Sequence, residues 1–408
     1  MNKLLLALGI LAIVVGSVFA AKWNLANAIS TRAGTKDLAD IAASLAPDDP
    51  QTRYAAAVVY DRTFDTADAE RSLVEFQATV DSTPNNYIPW LSLAQAKIRS
   101  GDNEGAVQAA ARALQLAPNY AAVHWLYGNL LFRNGSEKAM PHIRIAAEKD
   151  PKYRVPAISL AMNDSQGDIA KVRSLFGNSS DISAAIAQHY GLEKKFAESR
   201  SAWLEIAAEE RRTSFVEQAK ILASAAITGK QYRYASMLLE DAGQSFGKPG
   251  VVSDGGFESG VKARGAQVFE WQIADGAEPQ IAISSSTKKS GANSLLLQFN
   301  TMEASGFRSV SQIVAVEPGN SYAFSAYYRS ELKTAATIKF VITDATTGTV
   351  LASTASIAAN SDWANISANF TVPSGIDGVT IAIARADCNA SICPISGRVW
   401  LDDITLTK

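Results

Sequence analysis

Cysteine and histidine are nearly missing from this chain, with two of the first and three of the second in 408 residues. So few thiols exclude a disulfide-built scaffold and a zinc site of four cysteine ligands. His124, His142 and His189 have no partner at metal-ligand spacing, which narrows metal and acid–base chemistry further. A surplus of charge is lacking too, because 38 basic residues stand against 40 acidic ones for a net charge of −2. That balance leaves no electrostatic footprint for nucleic acid, and none is expected as a partner. The chain also has no Gly-x-Ser-x-Gly elbow, phosphate-binding glycine loop, His-Glu-x-x-His or dinucleotide fingerprint. Asp402 and Asp403 are the nearest approach to a catalytic carboxylate pair, but neighbours on a strand point to opposite faces. No catalytic residue is assigned, and the expectation is a protein that holds rather than turns over. With 47% apolar and 19% charged residues the chain can fold throughout, and its length predicts about two or three domains.

Long apolar runs are also scarce, and the single one sets the compartment. Lys3 is followed by a charge-free stretch from Leu4 to Ala21, closed by Lys22. That is long for the core of a cleaved signal and just enough to span a bilayer. Val18-Phe19-Ala20 also reads as a small-residue cleavage site, so segment 1–22 is either a signal anchor or a signal peptide. Run length favours the anchor. The basic front keeps the amino terminus in the cytoplasm and exports everything after Lys22. The expected location is the cell envelope, anchored in the inner membrane with periplasmic domains, or secreted if the signal is cleaved. In such a compartment the Cys388 and Cys393 spacing suits a small disulfide-closed loop, worth about 2 kcal/mol; two free thiols are the alternative.

Beyond the run, composition changes once. Residues 30–245 are rich in Ala, Leu, Glu, Gln, Arg and Lys, a helical usage. From 253 to 408, 33 of 156 residues are Ser or Thr and apolar positions alternate, a strand usage. Pro249-Gly250 sits in the linker 246–252 between them. The predicted fold is therefore multidomain, α then β.

The helical region repeats. Pro50, Pro84, Pro118 and Pro151 recur at 34, 34 and 33 residues, each read as closing a helix. Trp90, Leu93, Ala94, Gly101, Ala106, Ala110, Ala113 and Pro118 make one signature, and Tyr127, Gly128, Gly135, Ala139, Ala146 and Pro151 the next. Over 85–151 this resembles the tetratricopeptide family, while 51–84 keeps mainly the period. Segments 184–208 and 214–242 read as further helical hairpins, with Trp203 and Tyr232 in their cores. The resemblance implies a superhelix whose concave groove takes protein partners. Gln95, Arg99, Asn129 and Arg133 are its inward positions, with Trp125 beside them; a solvated face is the alternative. No lysine-rich clamp for a terminal carboxylate is visible.

The last third reads as about nine short strands, a jelly-roll β-sandwich. Gly255-Gly256-Phe257-Glu258, Ser290-Gly291-Ala292-Asn293-Ser294-Leu295, Val310-Ser311-Gln312, Glu317-Pro318-Gly319, Trp363 and Val399-Trp400-Leu401-Asp402-Asp403-Ile404 follow in order. That order resembles the galactose-binding-like jelly-roll carbohydrate-binding modules of bacterial glycan-active enzymes. The resemblance implies a structural calcium held by Glu258 and Asp402, with Asp403 as a third candidate; surface carboxylates are the alternative. Strand alternation puts Tyr322, Phe324 and Tyr328 on one face of 322–329 and Tyr327 and Arg329 on the other. Tyr327, Arg329 and Trp271 are the candidates for a glycan-facing surface. Together the parts suggest a non-enzymatic envelope scaffold in surface polysaccharide assembly or export, binding protein through the repeats and glycan through the sandwich. A scaffold that binds only protein is the alternative, and a glycan-processing enzyme the third.

Overall fold

In the computed structural model, residues 2–63, 65–244, 246–303, 307–333, 338–385 and 392–408 are described. The chain divides into two compact units, one ending at Gly177 and the other running from Asn178 to Lys408.

The first unit is helical. It opens with α1 (Asn2–Ser30), whose residues 5–25 are exposed and whose Ala26 is fully buried. Then come α2 (Lys36–Leu45), α3 (Pro50–Asp61), α4 (Thr66–Ser82), α5 (Tyr87–Arg99) and α6 (Asn103–Leu116). The unit closes with α7 (Ala121–Arg133), α8 (Ala139–Lys149), α9 (Arg154–Asp164) and α10 (Ile169–Phe176). α3 packs on α4, α5 on α6 and α7 on α8, each pair joined by a short turn. Small residues make those approaches possible: Ala94, Ala106, Ala110 and Ala113 are buried at the crossings. Gly128 shows the constraint most sharply, since a Cβ there would lie 2.8 Å from the Ile143 side chain on α8. Caps fix the starts, with Asp49, Asp65, Asn86 and Asp102 each accepting a backbone N–H of the first turn. Pro50 corrects the reading that each periodic proline closes a helix. It stands at the first position of α3, where its missing N–H costs nothing.

The second unit joins five helices to the sandwich. The helices are α11 (Ser180–Leu192), α12 (Phe196–Leu204), α13 (Ala208–Thr213), α14 (Val216–Thr228) and α15 (Tyr232–Asp241). Trp203 is fully buried and donates to Asp241 at 2.9 Å, and Arg211 donates to the same carboxylate at 2.9 Å. Tyr232, read as a core residue, is buried, and it is the sandwich that covers it. Its hydroxyl donates to the Ala345 carbonyl at 3.2 Å and its ring lies over Gly378. Asp377 accepts the Arg233 N–H at 3.1 Å, and Lys230 donates to the Thr346 carbonyl at 2.8 Å.

The strands are β1 (Gln272–Ile273), β2 (Gln280–Ser284), β3 (Ser294–Glu303), β4 (Val310–Ala315) and β5 (Ser321–Leu332). After them come β6 (Ile338–Asp344), β7 (Val350–Ser353), β8 (Asn360–Thr371), β9 (Gly378–Arg385) and β10 (Ile392–Thr407). They form two antiparallel sheets, β1-β4-β9-β6-β7 and β2-β3-β10-β5-β8. The core between them is one apolar cluster in which Phe257, Leu297, Phe324, Phe340, Ile381 and Leu401 are buried. At the domain entry Gln312 acts as a strand surrogate, accepting the Ser253 N–H and donating to its carbonyl, both at 2.8 Å.

Candidate glycan-facing surface and carboxylate clasp

Alternation along β5 sorts the aromatics. Tyr322, Phe324 and Tyr328 point into the core, while Tyr327 and Arg329 stand on the outer face of the sheet, both half-buried. Register brings neighbours to them. Tyr327 lies opposite Asp402 on β10 and Asn365 on β8, and Arg329 lies opposite Trp400. Trp363 is half-buried and lies where the β5–β8 register is interrupted, between Ser361 and Ala364.

This face interleaves rings and charges. The Arg398 guanidinium lies 5.2 Å from the Trp400 ring centroid and that of Arg329 lies 6.0 Å away, so the indole is covered. Lys289 sits 4.9 Å over the Tyr327 ring. Arg329 pairs with Asp362 at 3.1 Å and Glu331 at 3.5 Å, and Arg398 pairs with Glu331 at 2.8 Å. Arg329 also keeps a buried Nε–H that no described residue accepts. Chemically this is a sheet face on which cations lie over the aromatic rings and the charged groups are paired.

Trp271 is not part of it. It is 4% exposed, tilts against Phe257 at 5.3 Å and donates its indole N–H to the Asp254 carbonyl at 3.0 Å. The expectation of a sugar-facing Trp271 fails because only Gln272–Ile273 of that stretch is strand, and the indole turns into the core.

Glu258, Asp402 and Asp403 gather on one loop. Glu258 accepts the Ala292 N–H at 2.9 Å, and Asp402 accepts those of Lys289 at 2.7 Å and Ser290 at 3.2 Å. Asp403 accepts the Ser290 hydroxyl at 2.6 Å. The reading that Asp402 and Asp403 diverge is corrected here. A bulge interrupts β10 between Asp402 and Thr405 and puts Asp403 at φ +48°, turning both carboxylates to the same segment. Burial pushes the Asp402 carboxyl above its ordinary range, against the N–H donors that favour its charge. The chain's entry is locked beside it: Ile404 donates to the Gly255 carbonyl at 2.9 Å. A Cβ on Gly255 would fall 1.9 Å from the Ile404 carbonyl oxygen, so that position accepts only glycine. Among the described residues no three His, Cys, Asp or Glu side chains form a metal-sized group. The oxygens of Glu258, Asp402 and Asp403 are hard donors of the kind calcium takes, but each already accepts a hydrogen bond from the 289–292 segment.

In the helical unit the expected groove residues do different things. Gln95 and Arg133 are exposed. Arg99 forks onto Asp61, tying α5 to α3. Asn129 donates to the Trp125 carbonyl at 2.7 Å within its own helix. Trp125 stacks on Tyr153 at 4.9 Å and packs against the Ile143, Ala147 and Ala157 cluster, so it serves the contact between helices. Sequence reasoning missed the His124–His142 pair, whose Nδ1 atoms lie 3.0 Å apart; the 18-residue separation gave no signal. Cys393 is disulfide-bonded, and Cys388 lies outside the described residues.

No curated protein matches the chain. Among solved structures it is similar to a CBM4 structure at 15% identity, covering 38% of this chain and 98% of that one, TM-score 0.30. It is similar to the C-terminal family 22 carbohydrate-binding module of a Clostridium thermocellum xylanase at 18% identity, covering 39% and 96%, TM-score 0.28. A double mutant of MamA from RS-1 is similar at 18% identity, covering 38% and 94%, TM-score 0.32. One family model matches, that of the carbohydrate binding domain, over residues 250–388, which places the sandwich and not the whole chain in that family's likeness.

Proposed function

We propose that this is a non-enzymatic, extracytoplasmic glycan-binding protein, held at the membrane by α1. The observation that carries the glycan reading is the carbohydrate-binding match over 250–388, on a sandwich whose outer sheet face offers Tyr327 and Arg329. A sugar ring stacking on Tyr327 would find the Arg329 and Asn365 side chains beside it for its hydroxyls. The repeat period and the buried alanines at the helix crossings support a tetratricopeptide-type array in the first unit, with Gln95 and Arg133 exposed for protein partners. Joined in one exported chain, these parts suit a scaffold in the assembly or export of a surface polysaccharide. Calcium is proposed as a structural ion at Glu258, Asp402 and Asp403, which would have to draw closer together and give up their hydrogen bonds to the 289–292 segment to hold it.

A second reading is a scaffold that binds only protein. It is favoured by the covering of Trp400 and the loss of Trp271 to the core, which leave fewer open platforms. Binding of the full chain to an array of envelope polysaccharides separates the two. A hit that weakens about tenfold or more in Tyr327→Ala, a loss of roughly 1.4 kcal/mol, would support glycan binding on this face. Silence across the array would favour the protein-only scaffold.

A further inference from the structure

We propose that the foot of α1 carries a binding groove for the headgroup of phosphatidylethanolamine, in the leaflet from which the folded chain emerges. The proposal rests on the reading of α1 as a membrane span. At 1.5 Å per residue the run Leu4–Ala21 extends about 27 Å, close to the hydrocarbon thickness of a bilayer. Lys22 and Trp23 therefore fall at headgroup level, where Lys can extend its ammonium outward and Trp is at home.

No linker separates that span from the fold. The same helix continues to Ser30, with Ala26 fully buried and Ser30 6% exposed as α1 packs on α2 and α3. The turn after α2 then returns to the span's end, where the Trp23 indole N–H donates to Asp49 at 3.1 Å. Between them opens a groove of about 340 Å³, lined by Phe19, Lys22 and Trp23 on one side and Leu45, Pro47 and Asp48 on the other.

The charges of this groove choose its occupant. Lys22 is exposed and makes no ion pair among the described residues. The Asp48 carboxylate is fully exposed, with only Arg53 near it at 4.0 Å. Asp49 is already engaged, by Trp23 and by the Thr52 N–H at 3.1 Å. The Lys22 ammonium and the exposed Asp48 carboxylate, the latter only at the limit of an ion pair with Arg53 and so open on its solvent side, complement a phosphate and an ammonium that donates hydrogen bonds. Choline has no N–H to give Asp48, and phosphatidylglycerol would add only negative charge beside two aspartates.

The test is amide hydrogen exchange on the full chain in nanodiscs of phosphatidylcholine alone, or mixed with phosphatidylethanolamine or with phosphatidylglycerol. Exchange at Ala46, Asp48 and Asp49 should slow about tenfold or more in the phosphatidylethanolamine discs alone. Lys22→Gln and Asp48→Asn, both at exposed positions, should each remove that difference. Equal exchange in all three discs, with α1 protected, would overturn the headgroup site and leave the anchor standing. Slowing matched by phosphatidylglycerol, or persisting in both variants, would overturn it as well. A chain that does not enter the discs, or whose α1 amides exchange freely, would end both readings.

Discussion

His124 and His142 are two buried or half-buried imidazoles sharing one hydrogen bond, and a shared bond between two ring nitrogens needs an acceptor. The pair therefore cannot be doubly protonated in place. His124 is held further by the Pro118 carbonyl at 2.8 Å, and Tyr127 meets His142 edge-on at 4.9 Å. Burial first, then the neighbouring His124, lower the His142 pKa below its ordinary value of 6.5. Its folded form binds protons less readily than its unfolded form, so the stabilisation is whole above 6.5 and is lost as pH falls through the lowered folded value. Thermal melts of the full chain should show the transition of the first unit falling below pH 6.5, and His142→Gln should flatten that dependence. A variant with the wild-type pH profile would remove the pair from the account. Nothing in the sequence pointed here, since the two residues become neighbours only when α7 and α8 pack.

Among the elements, α15 shows a helix and a buried ring that were both legible while the surface that covers the ring was not. Its apolar spacing was legible and the hairpin with α14 follows from it, but the partner of Tyr232 was not. That ring fills the space over Gly378, where a Cβ would lie 2.2 Å from it, and it also meets Phe269 edge-on at 6.4 Å. Tyr232→Ala should cost about 3 kcal/mol or more, by analogy with other aromatic truncations. In calorimetry the helices 178–244 should then melt ahead of the sandwich, whereas a single unshifted transition would show the contact to be dispensable. The strands were legible because alternation needs only a buried and a wet side. β2 is the hardest strand to read, because its pattern is largely exposed and the apolar signal is weak. The bulge in β10 was missed because Asp402-Asp403 reads as regular strand until its neighbours are known.

For the molecule as a whole, the ends of the sandwich are clasped by carboxylates that span more than a hundred residues of sequence. Asp402 and Asp403 from the last strand and Glu258 from the entry hold one loop, and Gly255 pairs with Ile404 beside them. With calcium as a structural ion, adding it should raise the melting temperature of the sandwich and chelation should lower it. Glu258→Gln should remove the response, and identical curves with and without the ion would leave the hydrogen bonds as the whole clasp. The helical pairs of the first unit bury small residues such as Ala57, Ala94, Ala106 and Ala110 where they pack.

The sequence by itself determined the apolar run at the front, the passage from helix to strand, the repeat period, and which face of β5 each aromatic takes. All of these are local periodicities, and the hydrophobic effect acts on them one element at a time. Tertiary structure alone decided that Trp271 is core, that Trp400 is covered by arginines, that Tyr232 docks on the sandwich and that two histidines share a bond. Each of those depends on what a distant segment brings within a few ångströms, and packing selects that neighbour without leaving a mark in the spacing of either segment.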